Sequence, residues 1–425
     1  MRQRSGCGAT RFGPDLGTER ASGKLRLTSL SGLPQPARIH YKATREPDLA
    51  AATVAGPARG DREPEIFLSA DRDCMESRDE MAEPAGPAAV LRDILNWSGR
   101  RAVGAWLVHC ADPLGRPNAP PGRVLSSSQA RELVRQAEMH GVLPAVLRNY
   151  PPFHDDAAFA DVKADALARQ RPLLAYSLML RAQLEALLPA LTGQPVVVVK
   201  GPVFARSIYP APHLRTFTDV DLLVAPEAVK EVGQVLDAHG FSLVGCSGDA
   251  HRQEWKWVCR HHEALAIEVH TNLAHHPELR AAISLTYRDL AGVAETPAGL
   301  LTVAVVHGAL DCFERLRHVV DICQAARSLV TVDQERLLQV LVERTGARLA
   351  AITGLELAFG LFAEPRCREL ARALGPVRYG AAARLLLRRS VFVSAMTSVR
   401  ALHSWRRQAF RLLLKRRRLG GASAK

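Results

Sequence analysis

Two aspartates, Asp219 and Asp221, are the side chains in this sequence best suited to chemistry. They lie in TFTDVDLLV, which predicts a strand from about Thr218 to Val224, and a side-chain period of two puts both on one face. Burying two such carboxylates is costly unless a positive charge neutralises them. Magnesium binds one or two carboxylates together with the phosphate oxygens of a substrate. The pair therefore predicts either a Mg²⁺ or Mn²⁺ site or, as is common for an isolated DxD triplet, a solvent-exposed strand end with Arg215 as the counter-ion.

The segment before the aspartates must position them. Four valines, Val196 to Val199, predict a short buried strand, because β-branched side chains pack well on a pleated surface. Lys200 and Gly201 end this strand, since glycine frees the backbone for a turn. Pro202 then opens a short helix. The predicted order is strand, turn, helix and strand, with the aspartate pair on the second strand.

This order resembles the nucleotidyltransferase superfamily with the polymerase-β-like fold, in which a strand ends in a glycine-containing turn, a short helix follows and the next strand carries DxD. More narrowly, the Lys200-Gly201 turn, Arg215 ahead of TDVDLLV and the IEVH strand are similar to the family of uncharacterised nucleotidyltransferases, over residues 128–327. The resemblance implies an α+β fold. Its polymerase-β-like core would be a small mixed sheet with helices, flanked by helical N- and C-terminal regions.

The resemblance also implies a third carboxylate on a neighbouring strand, and the segment ALAIEVHTNL supplies Glu268. Asp219, Asp221 and Glu268 would then be the catalytic residues and the metal ligands, as in two-metal phosphoryl displacement. Glu268 would also help to deprotonate the attacking group. His270 shares a strand face with Glu268, so it would orient a phosphate or an acceptor hydroxyl, or hydrogen-bond the carboxylate.

Four residues are expected to contact the nucleotide. Lys200 would act as a point charge on the triphosphate and Arg215 as a bidentate clamp. Gly201 would allow close approach of the backbone to the phosphates, and His270 would complete the set. This chain has Lys200-Gly201 where the better-studied enzymes usually have Gly-Ser, a departure at the turn that would meet the phosphates.

The implied reaction is metal-dependent transfer of a nucleoside monophosphate from a nucleoside triphosphate, such as ATP, to an acceptor that is RNA, a protein or a small molecule. Two alternatives remain. One is a toxin-like nucleotidyltransferase acting on RNA, whose core motifs read similarly. The other is a non-catalytic nucleotide-binding or regulatory module. The presence of all three carboxylates argues against this alternative, whereas the replaced Gly-Ser turn favours it.

The chain divides by composition into four regions. Residues 1–87 are rich in Gly, Pro, Ser, Arg and Asp, which is typical of disorder; alternatively, translation starts at an internal methionine. Apolar residues at helical spacing predict a helical N-terminal region over 88–192 and a helical C-terminal region with a basic tail over 297–425. Residues 193–296 would hold the nucleotidyltransferase core.

Charge and cysteine content add further expectations. The eight cysteines form no CxxC pair, and no long apolar run predicts a membrane span or a secretion signal, which favours reduced thiols and a cytoplasmic location. The net charge is +13, and residues 371–425 carry 14 Lys or Arg with no Asp or Glu. This tail predicts an amphipathic helix that is the solvated face of a helical domain or that contacts an anionic polymer, such as RNA, or an anionic membrane surface.

Overall fold

The computed structural model describes residues 102–115, 120–245, 254–274, 277–377, 380–386 and 400–416. The expectations about residues 1–87 lie outside this part of the chain. The described residues form an α+β fold in which helices precede and follow one small mixed sheet, and this confirms the predicted class.

The sheet has five strands in the order β1-β2-β5-β4-β3. Strands β2 and β5 are parallel, and all other neighbours are antiparallel. The strand that carries Asp221 begins two residues later than predicted, so Asp219 lies just ahead of it. The strands are β1 (Val196–Val199), β2 (Val220–Val224), β3 (Phe241–Gly245), β4 (Glu254–Cys259) and β5 (His262–His270).

Helices cover both ends of the described chain, and short 3-10 turns lie at Ala157–Phe159, Pro212–Leu214 and Pro226–Ala228. The helices before and within the sheet are α1 (102–110), α2 (Ser127–Met139), α3 (Leu143–Asn149), α4 (Pro152–Asp155), α5 (Ala160–Leu191), α6 (Gly201–Ser207) and α7 (Val229–Ala238). Those after the sheet are α8 (Pro277–Arg280), α9 (Tyr287–Leu290), α10 (Pro297–Leu310), α11 (Leu316–Ser328), α12 (Val332–Arg344), α13 (Arg348–Phe362), α14 (Pro365–Ala373), α15 (Gly380–Leu386) and α16 (Arg400–Arg416).

Successive residues of β2 pack into two different hydrophobic cores. All five residues of β2 are buried, which is typical of a strand covered on both faces. Leu222 belongs to a core formed with α5 and α7, whereas Leu223 belongs to the larger core that α10 and α11 help to fill. Because side chains alternate along a strand, Asp221 lies on the same side as Leu223. The sheet therefore presents Asp221 toward the C-terminal helices.

The basic tail contains the predicted helix, α16, and part of it packs against the body of the protein. Phe410 is buried and its ring meets Phe313 edge-on, with the ring centroids 5.9 Å apart. Arg407 forms an ion pair with Glu314, and Lys415 forms one with Glu278. Some of the basic charge is thus neutralised within the chain, while contact of the tail with an anionic polymer or membrane stays a prediction. None of the described helices combines the length and the apolar character needed to span a membrane.

Candidate active site

Strand pairing brings three of the predicted site residues together. Asp221 lies opposite Glu268 in the parallel pairing of β2 with β5. On the other side of β2, Asp221 lies opposite Val199, the last residue of β1, so that Lys200 follows at the same end of the sheet. Residues opposite each other in a sheet present their side chains on the same face. The register therefore places Asp221 beside Glu268, and Lys200 follows β1 at the same end of the sheet.

Lys200 reaches Asp221 from an unusual backbone conformation. Its φ is 57°, a positive value that residues other than glycine rarely adopt, at the point where β1 ends and α6 begins. The Lys200 Nζ donates to Asp221 Oδ1 at 2.7 Å, and both residues are buried. Burial disfavours the ammonium, but the negative charge of Asp221 outweighs burial, and the pKa of Lys200 is raised. Strained backbone of this kind is found where it positions a functional side chain.

His270 joins Asp221 from the end of β5. Its Nε2 lies 3.0 Å from Asp221 Oδ1 and 3.8 Å from Glu268 Oε2. Burial alone would raise the pKa of Asp221, yet Lys200 and His270 hold it below its ordinary value, so this carboxyl is ionised. The ligand atoms of Asp221, Glu268 and His270 all lie within 4.8 Å of one another, a spacing that could hold a metal ion.

Glu268 is destabilised in its ionised form. Burial and the negative charges of Asp221 and Asp219 raise the pKa of its carboxyl to about 7. Lys256 Nζ lies 3.9 Å from Glu268 Oε1, but the Lys256 side chain is half exposed, so water screens its charge. Near neutral pH the Glu268 carboxyl can therefore give up or take a proton, and a bound cation would favour its ionised form.

Glu268→Gln is expected to stabilise the metal-free protein at about pH 8 by roughly 1 to 3 kcal/mol. The pKa of Glu268 is raised from its ordinary value of 4.5 to about 7, so between these two pH values the folded state binds a proton that the unfolded state has lost. The stability of the parent therefore falls as pH rises from 4.5 to about 7 and then levels off. Urea unfolding near pH 4.5 and pH 8 measures the gain, which should be small at the lower pH.

The control for this prediction is Glu227→Gln, because the Glu227 side chain is 64% exposed and is not a member of the carboxylate group. Its effect should be within about 0.5 kcal/mol at both pH values. If Glu268→Gln behaved like this control, the inference that burial and neighbouring carboxylates raise the pKa of Glu268 would be wrong.

Asp219 is a carboxylate without a hydrogen-bond partner among the described residues. It lies one residue ahead of β2, is half-buried, and stands outside the group formed by Asp221, Glu268 and His270. Burial and the negative charge of Asp221 raise the pKa of Asp219, while Lys200 and two arginines offset part of this effect. Holding a carboxylate beside another without a hydrogen bond is unfavourable. A cation bound between Asp219 and Asp221 would remove that cost.

Gly201 begins α6 and is required by packing. A Cβ placed on Gly201 would lie 3.0 Å from Cβ and Cγ of Phe217, a distance at which the phenylalanine would have to move. The predicted approach of a phosphate to the Gly201 backbone therefore stays a prediction, because close packing against Phe217 already accounts for the glycine.

Arg215 is held inside the protein by Asp321 of α11. Its Nε donates to Asp321 Oδ1 at 2.8 Å and its Nη2 donates to Oδ2 at 2.9 Å, while Nη1 donates to the Thr216 carbonyl at 2.8 Å. The Tyr209 hydroxyl donates to Asp321 Oδ1 at 2.6 Å. Despite burial, Asp321 raises the pKa of Arg215. The Arg215 guanidinium is thus bound to α11. To clamp the triphosphate, as predicted, it would have to give up these hydrogen bonds for bonds to phosphate oxygens.

Arg317 is a cation that the sequence analysis did not identify. It lies in the first turn of α11, four residues before Asp321, and its buried Nε has no hydrogen-bond partner. Burial and the positive charge of Arg215 lower the pKa of Arg317 to about 10, and the charge of Asp219 acts in the opposite direction. Arg317 is half-buried and forms no ion pair with any residue in the described part of the chain, and a charged arginine in such a position attracts an anionic ligand. The signal in the sequence that could have identified Arg317 is the group of basic residues in RLRHVVDI.

His140 fixes the start of α11. Its Nδ1 accepts a hydrogen bond from the Leu316 backbone N–H at 3.0 Å, and its carbonyl accepts one from the Arg317 N–H at 3.2 Å. Burial lowers the pKa of His140 to about 4, so the imidazole is neutral and able to accept. His140 therefore caps the start of α11.

The comparison with protein families identifies the chain. A model of the uncharacterised nucleotidyltransferase family matches residues 126–363, which is more than half of the 425 residues. The protein belongs to this family of uncharacterised nucleotidyltransferases. Searches of curated proteins and of solved structures gave no match. The matched residues include the sheet, the site residues described above and helices α10 to α12.

Proposed function

We propose that this protein transfers a nucleoside monophosphate from a nucleoside triphosphate to an acceptor, with Mg²⁺ or Mn²⁺ at a site formed by Asp219, Asp221 and Glu268 on a polymerase-β-like core. The observation that carries this proposal is the crowding of three carboxylates. Asp221 and Glu268 are opposite each other on adjacent strands, and burial together with the negative charge around them raises the pKa values of Asp219 and Glu268. Such an arrangement is costly without a cation and favourable with one.

The donor set supports a hard divalent cation. Asp219 has no hydrogen bond from a described residue that would compete with a metal ion. The Glu268 side chain is 21% exposed, so its carboxyl reaches solvent. Both hydrogen bonds that Asp221 accepts from described side chains, those of Lys200 and His270, go to Oδ1. When bound, the metal would neutralise charge that develops on the triphosphate oxygens.

The protein side chains have defined tasks in this reaction. An acceptor oxygen forms a bond to the α-phosphorus while the bond to the bridging oxygen of the β-phosphate breaks and pyrophosphate leaves. Glu268 takes the acceptor proton, because a cation at the site would keep its carboxyl in the ionised form that can accept one. Lys200, whose ammonium is held next to Asp221, offsets charge on the phosphates. His270 orients Asp221 through its Nε2.

The contact with the triphosphate that was predicted for Arg215 is assigned to Arg317 instead, and Arg215 has a positioning role. Arg215 positions the strand that follows it, because its guanidinium joins the loop before β2 to Asp321 of α11. Arg317 contacts the triphosphate, since its charged guanidinium has no ion pair among the described residues and lies within electrostatic reach of Asp219. Hydrogen bonds from a charged group contribute about 1.5 to 3 kcal/mol, so a contact of this kind would be worth a factor of ten or more in affinity.

A second candidate function is a nucleotide-binding module without catalysis. The observation that favours it is the ion pair between Lys200 and Asp221, which gives the central carboxylate an internal counter-ion and departs from the usual Gly-Ser turn. Such a module would bind the nucleoside triphosphate but would not transfer any part of it.

Nucleotide binding tests the proposal without knowledge of the acceptor. Calorimetric titration with a nucleoside triphosphate analogue that cannot be cleaved between the α- and β-phosphates should show binding that requires Mg²⁺ or Mn²⁺. Arg317→Met should weaken this binding by about tenfold or more. The control is Arg336→Met, because the Arg336 side chain is 74% exposed on α12. Equal affinity with and without the metal, for all four common bases, would contradict the proposal.

A further inference from the structure

A second group of possible metal ligands lies where α10 passes into α11. His307 is in the last turn of α10, Asp311 is its C-cap residue, and His318 is in the first turn of α11. Asp311 Oδ2 lies 3.7 Å from His307 Nε2 and 3.5 Å from His318 Nε2. All three ligand atoms lie within 4.8 Å of one another. None of these residues belongs to the carboxylate group of the proposed active site.

Two of the three separations are close to the edge of a metal coordination tetrahedron. Ligand atoms about 2.0 to 2.1 Å from Zn²⁺ in a tetrahedral arrangement are about 3.3 Å apart, which is longer than a normal hydrogen bond. The observed separations of 3.5 and 3.7 Å lie close to this value. Two imidazoles with one carboxylate favour zinc and related transition metals, whereas Mg²⁺ prefers oxygen ligands.

His318 is the buried member of the group. It is 2% exposed, and its Nδ1 has no hydrogen-bond partner. Burial lowers the pKa of His318 to about 3 and that of His307 well below its ordinary value, so both imidazoles are neutral. A neutral imidazole has the lone pair that a metal ion needs. The Nε2 of His318 faces Asp311, the remaining member of the group.

The position of Asp311 points in the same direction. A carboxylate at the C-terminal end of a helix meets the negative end of the helix dipole, which is unfavourable unless a cation is present. The Asp311 side chain is 48% exposed, so solvent reaches the group and a water molecule could occupy a fourth position. The positive charges of Arg315 and Arg317 act against a dication at His318, and this repulsion limits the affinity.

The turn between the helices holds the three residues in place. Cys312 and Phe313 both have φ of 52°, and Phe313 packs so closely on Gly308 that a Cβ there would lie 2.8 Å from its ring. The same Cβ would lie 3.5 Å from Cβ of His318. Close packing of this turn therefore sets the spacing of His307 and His318 before any metal binds.

We propose that His307, Asp311 and His318 form a second metal site, which binds Zn²⁺ or a similar transition-metal dication through two Nε2 atoms and one carboxylate oxygen. The bound metal fixes the turn between α10 and α11. Because Arg317 precedes His318 directly, the metal also fixes the start of the helix that carries Arg317.

Cobalt binding tests this site directly. The metal-free full chain, titrated with Co²⁺, should bind one ion with the visible absorption of tetrahedral cobalt, and Zn²⁺ should displace it. Asp311→Ala and His307→Gln should each abolish that absorption. Glu268→Gln, which alters the other ligand group, should retain it. This contrast separates the second site from the proposed active site, and it does not depend on any nucleotidyl transfer.

Folding of each variant is checked by circular dichroism without metal. If the histidine variant fails to fold, Asp311→Ala decides the question, because the Asp311 side chain is half exposed and its removal should leave the fold intact. The proposal would be overturned if the parent bound no Co²⁺, if Asp311→Ala kept the tetrahedral absorption, or if only Glu268→Gln lost it.

Discussion

Asp219→Asn is expected to reduce nucleotidyl transfer by about 10³-fold or more while leaving the fold intact. A metal ligand that neutralises charge in phosphoryl transfer contributes several kcal/mol to the transition state, and about 4 kcal/mol corresponds to this factor. Asp219 has no hydrogen bond to a described residue, and its pKa is raised by burial and by Asp221. Removing its charge therefore costs no internal contact and relieves repulsion. Unfolding by urea should show a metal-free variant as stable as the parent, or slightly more stable.

The matched control is Asp237→Asn, because the Asp237 side chain is 64% exposed on α7 and pairs with Arg260. It should leave both transfer and metal-dependent nucleotide binding unchanged. A variant at Asp219 that kept more than a tenth of the parent rate would remove Asp219 from the metal site. A large loss of stability in the same variant would instead assign Asp219 a structural role.

Asp321→Ala is expected to destabilise the protein by about 3 to 5 kcal/mol, which is the usual cost of leaving a buried charge without its partner. Asp321 is 1% exposed and accepts two hydrogen bonds from Arg215 and one from Tyr209. Removing the carboxylate leaves the guanidinium of Arg215 and the hydroxyl of Tyr209 unsatisfied inside the protein. Urea unfolding at neutral pH measures the loss.

The double variant Arg215→Met with Asp321→Leu distinguishes an internal ion pair from a nucleotide clamp. Replacing both members of a buried pair by apolar residues is often close to neutral, so most of the lost stability should return. Nucleotide affinity should then fall much less than in Arg317→Met. A double variant that was stable but bound no nucleotide would restore Arg215 as a direct ligand of the triphosphate.

The local part of the site could be predicted because short-range patterns determine it. Four valines followed by Lys200-Gly201 specify a strand and its end, and the alternation around Asp221 specifies a second strand. The IEVH segment gave a further strand, β5, and its register brings Glu268 opposite Asp221. The position of Asp219 was less accurate, since β2 starts only at Val220.

The contacts made by the C-terminal helices could not be predicted from sequence. Arg215 and Asp321 are 106 residues apart, and no local pattern indicates that a helix would bring a carboxylate to that arginine. Arg317 was missed for the same reason, because its role depends on where α11 packs against the sheet. The second group of ligands is spread over two helices and a turn, and His307 and His318 become neighbours only through the close packing of Phe313 on Gly308.

The most direct test of nucleotidyl transfer compares the fate of the α- and γ-phosphates. The purified protein is incubated with Mg²⁺ or Mn²⁺, an extract of small RNA, protein and metabolites, and a nucleoside triphosphate labelled at either position. We expect label from the α-position to appear on an acceptor, label from the γ-position to leave as pyrophosphate, and both signals to vanish in Asp219→Asn. Transfer of the γ-label would indicate a kinase, and no transfer of either label despite metal-dependent nucleotide binding would support the non-catalytic module and contradict the proposed reaction.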